Sequence, residues 1–387
     1  MKFRVDRDVF AEAVAWAARS LPARPPVPVL AGLLLEVTDT LALSSFDYEV
    51  SANARIEISA AEPGRALVSG RLLAEISRSL PPHPVDVAVE GARVVVSCGS
   101  ARFTLPTLPV DDYPALPEMP TTAGVIGADD FAAAVQQVAI AAGRDDTLPV
   151  LTGVRIEIED DRVTLAATDR YRLAVRELRW QPERSGLSLV ALVPARTLAD
   201  TAKALTGGAQ VTVSLATGGT SDGLIGFSGR GAAGQAGDRR TTARLLDGEY
   251  VKYRSLLPSE SSANAFVDTG GFIEAVKRVS LVAPRNTPVR LTFSGDQVAL
   301  EAGTSDEAQA SESIDAKFVS RDGSTEEFSI AFNPSYLLDG LGAVGTDTTR
   351  LDFTSPTKPA VLCGGKEVEA GAHDDYRYLL MPVRLSG

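Results

Sequence analysis

Most of this chain alternates apolar and polar residues in short runs, and three stretches break that alternation with helical spacing. FAEAVAWAA at 10–18, FAAAVQQVA at 131–139 and FIEAVKRVS at 272–280 each place a Phe, a Val four residues on, and a small or β-branched apolar residue at the seventh step. Those offsets fall on one side of an α-helix. A matching segment follows each: PVLAGLLLEV from Pro28, PVLTGVRIEI from Pro149 and PVRLTF from Pro288. A second set comes later, ALVSGRLLAEI from Ala66 against ALVPARTLADT from Ala191, with a looser third copy, IAFNPSYLLDG, from Ile330. Similar segments in the same order, three times over, are an internal repeat.

Each third is predicted to run in one order. In the first, a strand at Lys2–Val5 leads into a helix over 8–19, with Asp8 near its start suiting the helix dipole. Strands are expected at 29–38, 41–46 and 49–58, separated by short polar turns. The cycle then restarts with a strand at 65–69, a helix at 71–80 stopped by Pro81, Pro82 and Pro84, and strands at 84–89, 93–98 and 101–106. That is two helices and about eight strands per third. Helices so few, short and segregated argue an α+β class over a doubly wound sheet. Polar, unpatterned stretches at 118–123 and 259–264 divide the chain into 1–120, 121–258 and 259–387. The thirds also end alike, in YPALP from Tyr113, YRSLLP from Tyr253 and YRYLLMP from Tyr376, and only the last continues, into Val383, Arg384 and Leu385. Pattern alone does not say whether such repeats are strung loosely or closed into a ring.

Composition narrows the function. A chain of 387 residues with 44% hydrophobic content supports two or three cored domains. Cys98 and Cys363 are far apart and in no metal or redox spacing, so a reducing cytoplasm is expected. The first eight residues are charged without an apolar core, unlike a secretory signal, and no apolar run is long enough for a membrane helix. The formal charge of −12 argues, at first sight, against nucleic acid.

The ordered triple repeat, TDRYRLAV from Thr168, DGEYVKYRSLLP from Asp247, FNPSYLLD from Phe332 and the terminal YLLMPVRL from Tyr378 together closely resemble the bacterial DNA polymerase III beta subunit, the sliding clamp family. The likeness runs from Met1 to Leu385. SFDYEVS at 45–51 and LPVDDYP at 108–114 resemble its high-GC Gram-positive members. The resemblance implies three DNA-clamp domains per subunit and a head-to-tail homodimer forming a six-domain ring. Helices would line the hole, sheets would form the rim, and duplex DNA would be threaded through irrespective of sequence. A ring holds DNA topologically, so its affinity need not come from neutralising phosphates. The candidate lining helices supply Arg71, Arg78, Arg196, Lys203, Lys277 and Arg278, with Asp8, Asp129, Asp130 and Glu274 expected in first turns. Ordinary solvated helix faces are the plainer reading of the same residues. Arg24 and Arg144, in loops, are candidate direct DNA contacts, though exposed loop arginines are common.

By the same resemblance, partner proteins insert a short peptide with apolar anchors into a pocket between the second and third domains. The matching positions are Leu151, Thr168, Arg170, Tyr171, Arg172, Leu173, Val251, Asn333, Tyr336 and the tail Leu380, Met381, Pro382, Val383, Arg384 and Leu385. An adaptable Met beside apolar walls suits varied anchors; the alternative is that 380–383 simply closes a core. The expected partners are the replicative DNA polymerase, the clamp loader, repair polymerases, and mismatch-repair and ligase proteins. Val251, Ser255 and Asn286 depart from residues common in relatives, as do Pro149 and Val150, where some carry aromatics. Ring closure would set Phe103 and Leu105 against Leu281 and Val282.

An enzyme reading finds less support. GRGAAG at 229–234 matches the glycine pattern of dinucleotide sites, but DRRTTARLL follows, which reads as a strand instead of the helix such a site needs; the Gly-rich 217–238 reads as a flexible insertion. His83 and His373 form no triad or metal cluster, and Cys363 reads as a small buried apolar residue. Asp169 in TDRYR has no second carboxylate beside it for acid–base work. A single-strand binder needs aromatics interleaved with basic residues, and aromatics are only 6%. No catalytic residue, cofactor or metal is expected.

Overall fold

The computed structural model describes residues 1–215, 223–230, 237–283, 287–303, 308–323, 326–365 and 375–384. Its helices are α1 (Arg7–Ala17), α2 (Gly70–Ser79), α3 (Ala128–Ala139), α4 (Ala195–Ala204), α5 (Thr269–Ser280) and α6 (Pro334–Val344). The repeat Phe residues anchor the first helix of each third: Phe10, Phe131 and Phe272 are buried, as are Val14, Val135 and Val276. Caps start two of these helices. Asp6, not Asp8, accepts the N–H groups of Asp8 and Val9, and Asp268 accepts that of Gly271. Such caps satisfy amides that have no partner within the helix. Asp8, Asp129 and Asp130 do lie in first turns; Glu274 does not, and pairs with Lys277 instead.

The chain divides into two compact units. The first comprises Met1–Ala133, Glu157–Arg162 and Arg179–Leu246, and the second Ala134–Ile156, Val163–Leu178 and Asp247–Gly387. Strand pairing explains why these units do not follow the thirds. In the first unit, Asp238–Arg244 pairs antiparallel with Val50–Glu57, so a strand of the second third continues the sheet of the first. In the second unit, Tyr376–Leu380 pairs with Arg172–Arg179, joining the last third to the second. Here each is called a junction.

Within the first unit the sheet runs from Thr122–Gly127 through Gln210–Leu215, Leu224–Arg230 and Asp238–Arg244 to Val50–Glu57. It continues through Thr40–Phe46, Gly32–Val37, Gly64–Ser69, Ala101–Leu108, Arg93–Cys98 and Val85–Glu90 to Lys2–Val5 and Ser59–Glu62. Two expectations are corrected here. The segment 28–31 is a 3-10 turn led by Pro28, not the start of a strand. Inside the stretch read as a flexible insertion, Leu224–Arg230 is a strand paired on both sides. Gly229 therefore sits in a sheet, paired with Arg239; residues 217–222 and 231–236 of that stretch, most of the GRGAAG pattern among them, lie outside the described residues.

In the second unit, Tyr376–Leu380 is followed across the sheet by Ala360–Gly364, Thr348–Phe353, Ala263–Asp268, Gln309–Ser320, Gln297–Gly303, Val289–Ser294 and Phe328–Phe332. Helix α1 packs on α2 in the first unit and α5 on α6 in the second. Among the described residues no helix is long and apolar enough to cross a membrane.

The end of the first third is part of its core. Tyr113 packs with Leu34 and Leu67 under Phe46 and Leu108, and burial pushes its phenol up to about 12. A phenol that resists ionisation when folded binds more protons than the unfolded chain between pH 10 and 12. Its contribution is therefore intact below about pH 10 and fades as pH rises through about 12, an effect on the order of 2 kcal/mol. The urea midpoint should fall across that window, and Tyr113→Phe should flatten the fall; an unchanged slope would show that Tyr113 carries none of it.

Candidate functional site

In the second unit the turn between Arg162–Thr168 and Arg172–Arg179 is built by its own polar side chains. Asp169 Oδ1 accepts the N–H groups of Tyr171 at 3.0 Å and Arg172 at 3.1 Å. Thr168 Oγ1 accepts the Arg170 N–H at 3.2 Å and donates to the Arg172 carbonyl at 2.6 Å. Asp is suited to such turns because its carboxylate imitates a backbone acceptor. Arg170 takes a left-handed backbone, φ 80°, which is unusual for a residue with a side chain. The turn leaves Tyr171 exposed and Arg172 buried.

Arg172 is the centre of the site. Its Nε donates to Asp169 Oδ2 at 2.9 Å, and Nη1 donates to Asp339 Oδ2 at 2.5 Å and to the Tyr378 hydroxyl at 3.3 Å. The guanidinium also lies over the Tyr336 ring at 4.4 Å. Burial opposes its charge, but Tyr378, Asp339 and Asp169 outweigh that penalty and raise its pKa above the ordinary arginine value. A planar fork can hold two carboxylates and stack on a ring together, which an ammonium cannot. Burial likewise raises the Tyr378 phenol, against the pull of Arg172, so it stays a neutral donor to the Tyr336 carbonyl at 2.9 Å. Gly340 of α6 makes room for it: a Cβ there would fall 2.5 Å from the Tyr378 ring.

Helix α6 brings Tyr336 and Asp339 to this turn. Asn333 caps it, accepting the N–H groups of Ser335 at 2.9 Å and Tyr336 at 3.3 Å, and Pro334 occupies the first position, where no N–H is needed. Tyr336 stacks on Tyr171 with ring centroids 6.2 Å apart. Between the turn, α6 and the loop after α3 lies a cleft of about 670 Å³. Leu148, Leu151, Tyr171 and Tyr336 supply its apolar and aromatic lining, and Arg144, Asp145, Asp169, Arg170, Arg172 and Asp339 its charges. The tail follows the turn. The Met381 N–H donates to the Tyr171 carbonyl at 2.9 Å and that of Val383 to the Ala331 carbonyl at 2.8 Å, with Met381, Val383 and Arg384 exposed.

Several sequence-based assignments change on this geometry. Leu151, Arg170, Tyr171, Arg172 and Tyr336 line the cleft, while Thr168 and Asn333 act from behind it by fixing the turn and the helix. Leu173 and Leu380 are 1% and 0% exposed; they lie on opposite faces of the paired strands, both faces are covered there, and neither meets a surface. Val251 is exposed and Pro382 half-buried, but neither is among the lining residues; Leu385 lies outside the described residues. Arg144, read as a DNA contact, borders this cleft. A carboxylate unmarked in the sequence, Asp339, joins Asp169 here; it lies one helical turn beyond Tyr336, the spacing that could have revealed it. With Arg172 between them, the two acids are ion-paired, not poised for proton transfer.

The basic candidates divide by pairing. Arg24, Arg71, Arg78, Arg196 and Lys203 are exposed in the first unit, with Arg71 donating to the Pro22 carbonyl and Arg78 to that of Ala74. In the second unit Lys277 is paired with Glu274 and Arg278 with Glu312. The Arg278 bond holds the Glu312 carboxyl below its ordinary range, but Arg278 is exposed and Glu312 only half-buried, and such surface pairs are weak.

Besides the strands that end each sheet, two long strands among the described residues are open along part of one side. Ala101–Leu108 pairs with Arg93–Cys98 along 101–106 and reaches Gly64–Ser69 only at Thr107 and Leu108. Gln309–Ser320 pairs with Gln297–Gly303 over 309–315 and with Ala263–Asp268 over 316–320. Near that second edge Leu281 is 84% exposed, with Val282 half-buried beside it. Phe103 is half-buried, whereas Leu105, at 1%, belongs to its own core and is removed from the candidate interface.

Known proteins match this chain throughout. Models of the DNA polymerase III beta subunit match in order: the N-terminal domain over residues 1–117, the central domain over 125–252 and the C-terminal domain over 254–384. The beta sliding clamp of Streptomyces coelicolor is 61% identical over 388 residues, covering 100% of both chains. A sliding clamp of Pseudomonas aeruginosa, solved bound to griselimycin, superposes with a TM-score of 0.88 at 27% identity, and that of Bacillus subtilis with 0.88 at 25%, each covering 100% of both chains. With all three of its domains matched in sequence and in fold, this chain belongs to the DNA polymerase III beta subunit family, the bacterial sliding clamps.

Proposed function

We propose that the chain works in the cytoplasm as a sliding clamp: two copies close head to tail around duplex DNA, and the ring tethers the replicative polymerase. Its three domains are 1–120, 121–258 and 259–387. The observation that carries this reading is the pair of open sheet edges, 101–106 in the first unit and 310–314 in the second. Exposed edges invite strand pairing with another chain, and two such edges on one chain allow a head-to-tail ring. Phe103 at one edge and the exposed Leu281 and Val282 near the other supply apolar contacts for closure. Arg24, Arg71, Arg78, Arg196 and Lys203 face the DNA; Lys277 and Arg278 contribute less, their charges being partly answered by Glu274 and Glu312.

The cleft around Arg172 takes a short peptide segment from partner proteins: the polymerase, the loader, repair polymerases, and mismatch-repair and ligase proteins. Tyr171, Tyr336, Leu148 and Leu151 receive its apolar anchors, and Met381 and Val383 extend that surface. In this role the chain is a processivity subunit, and the chemistry belongs to the polymerase it tethers.

The decisive test is retention on nicked circular DNA after incubation with the loader and ATP, read by gel filtration in high salt before and after linearisation. Retention on the circle that is lost on cutting is expected, because a topological link does not depend on counterion release. Equal retention on circle and line would mean contact binding and would sink the ring.

A further inference from the structure

The two junctions are copies of one another, and they differ in one chemically telling way. In the second, Arg172 pairs with Leu380, Ala174 pairs with Tyr378, and the Met381 N–H donates to the Tyr171 carbonyl at 2.9 Å. In the first, Val50 pairs with Ala243, Ala52 pairs with Thr241, and the Arg244 N–H donates to the Glu49 carbonyl at 2.8 Å. The turns match too. Asp47 Oδ1 accepts the N–H groups of Glu49 at 3.0 Å and Val50 at 2.7 Å, as Asp169 does for Tyr171 and Arg172, and Tyr48 takes the left-handed backbone of Arg170, φ 75°. Near the start of α4, Thr197 and Asp200 hold the places of Tyr336 and Asp339 in α6.

Thus the first junction keeps both acids of the second and lacks the arginine between them. Val50 stands for Arg172, Thr241 for Tyr378 and Thr197 for Tyr336, each a smaller side chain. The space left is a cavity of about 300 Å³, with Asp47, Val50, Thr197, Asp200 and Thr241 on its walls beside Trp16. Arg19 and Arg196 border it as well. Arg19 is held over the Trp16 ring at 5.8 Å and donates to the Asp200 backbone carbonyl at 3.5 Å. Neither arginine forms an ion pair with Asp47 or Asp200.

We propose that this cavity is a second binding site, which takes the guanidinium of an arginine carried by a partner polypeptide. The incoming side chain supplies what Val50 omits, reaching Asp47 and Asp200 as Arg172 reaches Asp169 and Asp339 in the other junction. Arginine is specified over lysine because a fork can address two separated carboxylates at once while its stem lies along Val50 and Trp16. The inference rests on the repeat geometry of the folded chain and stands apart from ring closure.

The test uses the full chain labelled with 5-fluorotryptophan, whose two tryptophans, Trp16 and Trp180, give separate fluorine signals. The probes are N-acetyl-arginine-N-methylamide and its uncharged citrulline counterpart. We expect the arginine probe to shift the Trp16 signal saturably and not that of Trp180. The citrulline probe should bind at least about tenfold more weakly, as loss of a charge-assisted pair implies. Asp200→Asn, an exposed change that leaves the fold alone, should weaken binding similarly, and Val50→Arg should fill the site and abolish the shift. An unmoved Trp16 signal, equal binding of citrulline, or an undiminished shift in Asp200→Asn would each overturn the proposal.

Discussion

Arg172→Ala should destabilise the second unit by about 3 kcal/mol and abolish capture of partner peptides, the largest loss expected from any single change near the cleft. Removing one partner of a buried ion pair typically costs 3–5 kcal/mol, because the remaining charge keeps its desolvation penalty. The lower end applies here, since the two acids are not equally trapped. Asp169 is 14% exposed and would stay buried without its cation, whereas Asp339, at 44%, can turn to water. The same asymmetry predicts that Asp339→Asn costs under about 1 kcal/mol. The effect on binding exceeds the effect on folding. The Tyr336 ring loses the cation beneath it, Tyr378 loses a partner, and the turn that presents Tyr171 loses the Arg172 end of its lock. Urea unfolding reads the first quantity; fluorescence polarisation with a labelled peptide from the replicative polymerase reads the second. Arg172→Lys separates charge from geometry, because an ammonium restores the charge without the fork. Full peptide binding by Arg172→Ala would remove Arg172 from the site.

Much of this architecture is legible in the sequence, because repeated packing demands repeated residues. Phe10, Phe131 and Phe272 must be large and apolar wherever a first helix meets its sheet, so helical spacing exposes all three at once. The elements of the first third follow for the same reason, alternation and proline placement being local matters. What escapes is whatever depends on which strand lies beside which. Leu105, Leu173 and Leu380 look like surface anchors by position in a motif, yet alternation turns Leu105 inward between exposed Thr104 and Pro106, while Leu173 and Leu380 lie where the paired strands are covered on both faces. Asp339 and Tyr378 reach Arg172 only because Tyr376–Leu380 pairs with Arg172–Arg179, across some two hundred residues of chain. Leu224–Arg230 shows the opposite failure: its glycines hide a strand that both neighbours stabilise, and local propensity yields to tertiary pairing.

Leu281→Glu is expected to leave the folded subunit intact while dissociating the dimer. At 84% exposure Leu281 makes almost no contact within its own chain, so the change should move the subunit's stability by less than about 0.5 kcal/mol. Phe103→Glu is the instructive contrast, since Phe103 is half-buried and its loss should also weaken its own domain. In the ring, burying Leu281 against the opposing edge is worth roughly 2 kcal/mol, and a carboxylate placed there adds a desolvation penalty of at least about 1 kcal/mol. A head-to-tail dimer contains this contact twice. A loss of about 3 kcal/mol at each interface therefore doubles, weakening dimerisation on the order of ten-thousand-fold. Sedimentation equilibrium should find half the wild-type mass at concentrations where the wild type is dimeric. Salt-resistant retention on nicked circles should vanish, while peptide binding at Arg172 persists because the cleft lies wholly within the second unit. A fully dimeric Leu281→Glu protein would place closure elsewhere than the end of α5. A monomer that still held circles and not lines would separate encirclement from this interface.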